Sequence, residues 1–143
     1  MKNLFLTFLF SALGSVLFAQ EKYMTTVAET EAVSLKVVEL FKQKKYSKAI
    51  AELSPYWPLP EDELTSLSDQ TVKSMGVATE RYGKMVAASK IKSETISDFA
   101  VRETYIVQYE FHALRLIFTY YKNSSGWIVN AFKWDDKFMD EFK

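Results

Sequence analysis

At Gly83 the spacing of apolar residues in this chain changes, and that change leaves few folds open to it. Before Gly83 they recur every three or four positions, as on one face of a helix. After it they alternate, as on one face of a strand. Such a chain must bury helical stripes against one face of a sheet, which is an α+β layer arrangement. The aromatic residues divide at nearly the same place. Residues 20–98 hold six, Tyr23, Phe41, Tyr46, Tyr56, Trp57 and Tyr82, whereas residues 99–143 hold twelve. Aromatic and β-branched side chains fit a half-buried pleated surface, so the second half is expected to carry the sheet.

Three helices are expected. Over 27–43, Thr30, Val33, Ser34, Val37, Leu40 and Phe41 form one stripe, and Tyr46, Ala49, Ile50 and Leu53 form a shorter second one. "SPYWPLP" interrupts the pattern, because each proline disfavours helix in the residue before it. Tyr56 and Trp57 there read as a stiff aromatic corner that plugs one end of the core. Were they exposed, they would offer a protein-contact patch. The third helix starts near Glu61 with acidic residues suited to the positive end of the helix dipole, and runs through Leu64, Leu67, Thr71, Met75, Ala78 and Tyr82. Gly83 reads as a left-handed cap.

Four strands should follow. Residues 85–97 make a weak one. "ETYIVQYEF" is stronger, with Tyr105, Val107, Tyr109 and Phe111 facing one way and Ile106, Gln108 and Glu110 the other. "LRLIFTYY" puts Leu114, Leu116, Phe118 and Tyr120 on one face, and "KNSSG" is a turn by composition. In "GWIVNAFKWDD", strict alternation sends Trp127, Val129, Ala131 and Lys133 to one face and Ile128, Asn130, Phe132 and Trp134 to the other. Without a bulge, then, Trp127 and Trp134 cannot share a pocket. Asp135 or Asp136 is expected to cap a short final helix that returns Phe138 and Phe142 to the sheet.

The first nineteen residues stand apart. Lys2, a mostly apolar run over 4–18 and the small Ala19 read as a secretory signal peptide, too short at fifteen residues to span a bilayer. The expected organisation is a signal peptide over 1–19 and a single α+β domain over 20–143, secreted or periplasmic, with no stable membrane anchor after cleavage. The chain has no cysteine, which excludes a lipidated amino terminus, disulfides and thiolate metal sites. An exported domain without disulfides depends on its core, and this length can bury about two-thirds of the unfolded surface. Lys2 is the only charge in the leader, so the remainder carries a net charge of about −1 and has no electrostatic drive toward nucleic acid.

The order of elements, the turn near "FHALR" and the ending from "YYKNSSGW" to "FKWDDKF" resemble small secreted bacterial proteins of unknown function with a nuclear-transport-factor-two-like (cystatin-like) fold. The resemblance covers about residues 61–138 and rests on structural rather than catalytic motifs. It implies helices packed on a curved four-stranded antiparallel sheet, cone-like, whose open end holds a ligand in some relatives. Others dimerise through the sheet.

Gln108, Glu110 and His112 alternate along one strand, and Arg115 lies just across the turn. His112 is the only histidine, and a nearby carboxylate would orient it for acid–base work. The blander account is a solvated strand face where Glu and Arg pair weakly. With Tyr82 and Trp134, these four are the candidate ligand-binding residues. Two adjacent aspartates supply too few oxygens for a hard cation, and no phosphate loop or nucleophile elbow occurs, so no metal, cofactor or catalytic residue is assigned. The favoured function is a non-enzymatic domain that binds a small apolar ligand or a protein. An acid–base enzyme in a cone-shaped pocket and a homodimer formed through the sheet face are the alternatives.

Overall fold

In the structure, a computed structural model, residues 22–143 are described, and the expected leader lies outside them. Helix α1, Val27–Lys42, starts where the Thr26 hydroxyl accepts the Glu29 amide at 3.2 Å. Its buried stripe is Thr30, Val33, Ser34, Val37, Val38 and Phe41. Helix α2, Tyr46–Leu53, buries Tyr46, Ala49, Ile50 and Leu53, and a short 3₁₀ turn follows at Ser54–Tyr56. Trp57 after it is buried and Tyr56 half-buried, so the aromatic corner does close the core. Helix α3, Glu61–Tyr82, opens with Glu61, Asp62 and Glu63 in its first turn.

Gly83 ends α3 with φ +80° and ψ −155°. The positive φ favours glycine, but the ψ lies outside the left-handed helical well that was expected. A Cβ there would also meet the Glu110 carboxylate at 2.5 Å, so a side chain would have to displace it from its contact with the loop.

Four strands then form an antiparallel meander in the order β1-β2-β3-β4: β1, Met85–Ile96; β2, Ala100–Tyr109; β3, Ala113–Lys122; and β4, Trp127–Asp135. The helices cover one face. Against them β2 turns Val101, Glu103, Tyr105, Val107 and Tyr109, and β3 turns Leu114, Leu116, Phe118 and Tyr120, all buried. Phe118 packs on Tyr105 and Phe132 at ring distances of 5.6 and 5.0 Å. Three helices against a four-stranded antiparallel sheet is the α+β architecture that the periodicity predicts.

Strict alternation fails in β4. Thr119 pairs with Ala131 but Tyr120 pairs with Val129, which leaves Asn130 as an extra residue. This β-bulge shifts the phase of the strand, so Trp127, Val129, Phe132 and Trp134 all lie on the helix-covered face. Two further register shifts occur in β1, between Met85 and Ala87 and between Lys90 and Lys92.

Other expectations also change. Phe111 is not core: β2 ends at Tyr109, and Phe111 sits in the β2–β3 turn at 77% exposure. Chain reversal takes precedence over alternation there, since the Tyr109 amide bonds the His112 carbonyl and the Phe111 amide bonds the Tyr82 carbonyl. The last helix is a 3₁₀ turn, Phe138–Phe142, entered through Lys137 with no side-chain cap. Asp135 still belongs to β4. Phe138 is half-buried, but Phe142 is 80% exposed. At the other end, Met24 and Trp127 exchange backbone hydrogen bonds of 3.0 and 2.8 Å, close enough that a Cβ on Gly126 would meet the Met24 carbonyl at 2.6 Å.

Candidate functional site

Where the C-terminal half of α3 passes the end of β4, a cleft of about 290 Å³ opens. Ser74, Val77, Ala78, Arg81 and Tyr82 form its helical wall, Leu114 contributes from β3, and Trp134, Asp135 and Asp136 form the other side. The β4 bulge is what turns Trp134 toward it. The Tyr82 hydroxyl donates to Asp136 Oδ2 at 3.3 Å, and the Arg81 guanidinium lies 5.7 Å from the centre of the Tyr82 ring. Burial, together with the charge of Asp136, holds the Tyr82 phenol above its ordinary range. The cleft thus offers an indole and a phenol as apolar walls, with the Arg81 cation and the carboxylates of Asp135 and Asp136 beside them.

The six candidate residues do not form one constellation. Tyr82 and Trp134 share the cleft. His112 stands beside it, half-buried, its ring 4.6 Å from Tyr82 and 5.3 Å from Phe138. Glu110 is exposed, and its carboxylate accepts the Lys84 amide at 3.0 Å, tying the β2–β3 turn to the loop after α3. Gln108 lies exposed on the outer sheet face, opposite Ala87 and Ala113. The row read from alternation is broken because the strand ends before Glu110.

Arg115, also on the outer face, is buried and committed to protein carboxylates. Its Nε and Nη2 donate to the two oxygens of Asp135 at 2.8 and 3.0 Å, and Nη1 donates to Glu141 at 2.6 Å. Asp140 lies 3.7 Å from Nη2, and Lys92 on β1 pairs with Glu141 at 2.8 Å. Together these contacts hold the final 3₁₀ turn across the outer face. The Asp135 hydrogen bonds raise the Arg115 pKa against the opposing pull of burial. Burial pushes the Asp135 carboxyl up, but the Arg115 guanidinium and the Lys137 amide outweigh it and leave Asp135 below the usual carboxylate range. Hydrogen bonds from Lys92 and Arg115 lower Glu141 likewise.

A second polar group escaped the sequence reading. Glu103 is 1% exposed and faces the helices from β2. The Tyr105 hydroxyl donates to its Oε2 at 3.3 Å, while Ser34 Oγ on α1 and the Tyr120 hydroxyl on β3 share a 2.7 Å hydrogen bond. Burial holds the Glu103 carboxyl above the usual range, opposed by the Ser34 hydroxyl and the charge of Lys90. A signal was present: the alternation of Tyr105 and Val107, extended back by one step, reaches Glu103. Among the described residues no group of three His, Cys, Asp or Glu is placed to hold a metal ion, and no helix is long and apolar enough to cross a membrane.

No protein-family model and no curated protein matches the chain. Among solved structures it is similar to the crystal structure of a protein from Campylobacter jejuni provisionally named an NTF2-like transpeptidase. The two are 19% identical with a TM-score of 0.46, over 73% of this chain and 97% of that one.

Proposed function

We propose that the chain is an exported, non-enzymatic binding domain that takes a small ligand with an apolar or aromatic body in the cleft between α3 and β4. The observation that carries this reading is the convergence of Tyr82 and Trp134 on one cleft through the Asn130 bulge. A bulge that re-aims one large side chain is a frequent device next to binding sites. The volume, about 290 Å³, is at the small end of the range for ligand pockets and suits a compact molecule. Trp134 supplies a flat apolar wall, and Arg81 and Asp136 supply polar contacts that would fix orientation.

The acid–base alternative has less support. His112 packs against two rings, and the Glu110 carboxylate bonds a backbone amide instead of the imidazole. General acid–base work needs a second group within reach of the same substrate atom.

Export rests on the leader, and sequencing the amino terminus of the mature protein should find Gln20 or a residue within two of it. Intact Met1 in the membrane fraction would contradict export. For ligand binding, native mass spectrometry of protein recovered from its own compartment should show a small-molecule adduct that Trp134→Ala loses. An adduct that the variant retains would contradict the assignment of the cleft.

A further inference from the structure

Glu103 occupies a position that a carboxylate rarely holds. It is buried in the seam between α1 and the sheet, with Ser93 opposite it on β1 and Phe118 opposite it on β3. Its surroundings offer little to an anion. The Tyr105 hydroxyl is 3.3 Å away, at the long end for a bond to a carboxylate. The Ser34 hydroxyl on α1, bonded to the Tyr120 hydroxyl, also reaches the carboxyl, so the hydroxyls around it are neutral partners and bring no cation into contact. The cation whose charge reaches Glu103 is Lys90 on β1, and Lys90 is ion-paired with Glu31 on α1. Thr30 in the same seam gives its hydroxyl to the Val27 carbonyl. Around Glu103, then, stand one acid and one hydroxyl from α1, a lysine from β1, and tyrosines from β2 and β3. The effect of Lys90 on Glu103 is partly offset by its ion pair with Glu31.

A buried carboxylate with neutral hydroxyls but no cation in contact is costly, and the protein avoids the cost by protonating the group or by letting water in. Ser34 is the α1 side chain that reaches Glu103, so α1 is the element whose lifting would admit water to the carboxyl. We propose that Glu103 is a proton-controlled latch for α1: as a neutral acid it lets the helix lie closed on the sheet, and as a carboxylate it loosens that seam. A carboxyl raised by burial stabilises the closed state fully below its ordinary value of 4.5, and that contribution is lost as pH rises through the folded value. The direction is opposite to acid denaturation, and α1 should open as pH increases.

The test is amide hydrogen exchange on the full mature chain between pH 5 and 9, expressed as protection factors so that the intrinsic pH dependence of exchange cancels. Protection over residues 33–38 should fall progressively across this range as the carboxyl ionises. Protection in α3 should stay level. In Glu103→Gln the α1 profile should be flat. Glu31→Gln, which frees Lys90 to neutralise the carboxylate, should shrink the fall, and it decides the question if Glu103→Gln does not fold. Constant α1 protection in the wild type, or an equal fall in the variants that fold, would overturn the proposal.

Discussion

Trp127 and Trp134, seven positions apart and so of opposite parity, present their indoles to the same face of β4. Asn130, the extra residue between them, makes this possible. Deleting Asn130 restores strict alternation, which must carry either Trp127 and Val129 or Phe132 and Trp134 off the core face. The expected cost is at least about 4 kcal/mol, comparable with losing a large core side chain. Urea unfolding measures it, and a wild-type midpoint in the deletion variant would show that β4 tolerates either phase.

Phe118 and Phe111 should behave differently although both lie in the aromatic second half of the chain. Phe118 is buried between Tyr105 and Phe132, so Phe118→Ala should cost about 3–5 kcal/mol. Phe111 lies in an exposed turn, so Phe111→Ala should stay within about 0.5 kcal/mol. Thermal unfolding of the two variants side by side checks the pair. Similar losses in both would place Phe111 in the core after all.

How far the sequence alone reached can be judged from individual residues. The helical stripes were legible because a helix needs only local spacing, and Val37, Phe41 and Ile50 are buried as that spacing requires. Tyr105, Val107, Leu116 and Phe118 were legible for the same reason at period two. The bulge was not, because a phase shift depends on which partner each residue of β4 meets on β3. The change from Trp127 and Val129 to Phe132 and Trp134 as the large residues was its one local trace. Arg115 and Asp135 are 20 positions apart and meet only through strand register. Glu103 was hidden by its polarity, since a carboxylate at a core position breaks the rule by which core positions are read.

The Arg115 network should make the protein acid-labile. Asp135 and Glu141 are held below their ordinary values of 3.8 and 4.5, so their contribution is present above those values and lost as pH falls through the folded ones. Arg115→Gln should cost about 1–3 kcal/mol at neutral pH, since it leaves the half-buried Asp135 carboxylate without its cation while Glu141 keeps only Lys92. It should also flatten the decline in stability below about pH 5. Urea midpoints at pH 3, 5 and 7 in both proteins provide the comparison. An unchanged decline would place the acid sensitivity elsewhere.

His112→Ala should cost about 1–1.5 kcal/mol, because it removes ring packing against both Tyr82 and Phe138. This exceeds what a solvated residue at a turn would lose. His112→Phe, which keeps a ring, should restore most of the loss. A variant that unfolds like the wild type would return His112 to a solvated turn position.

The most direct test of the cleft is an NMR titration of the three indole N–H resonances with a small aromatic probe such as indole-3-propionate. Trp57 and Trp127 are buried in the core, whereas Trp134 lines the cleft and is partly open to solvent. The Trp134 resonance should move in a saturable manner while the other two hold still, and Tyr82→Ala should weaken the response at least about tenfold, the size of one lost aromatic contact. A Trp134 signal that stays fixed up to millimolar probe, or saturable movement only at the other two, would contradict a binding function for this cleft.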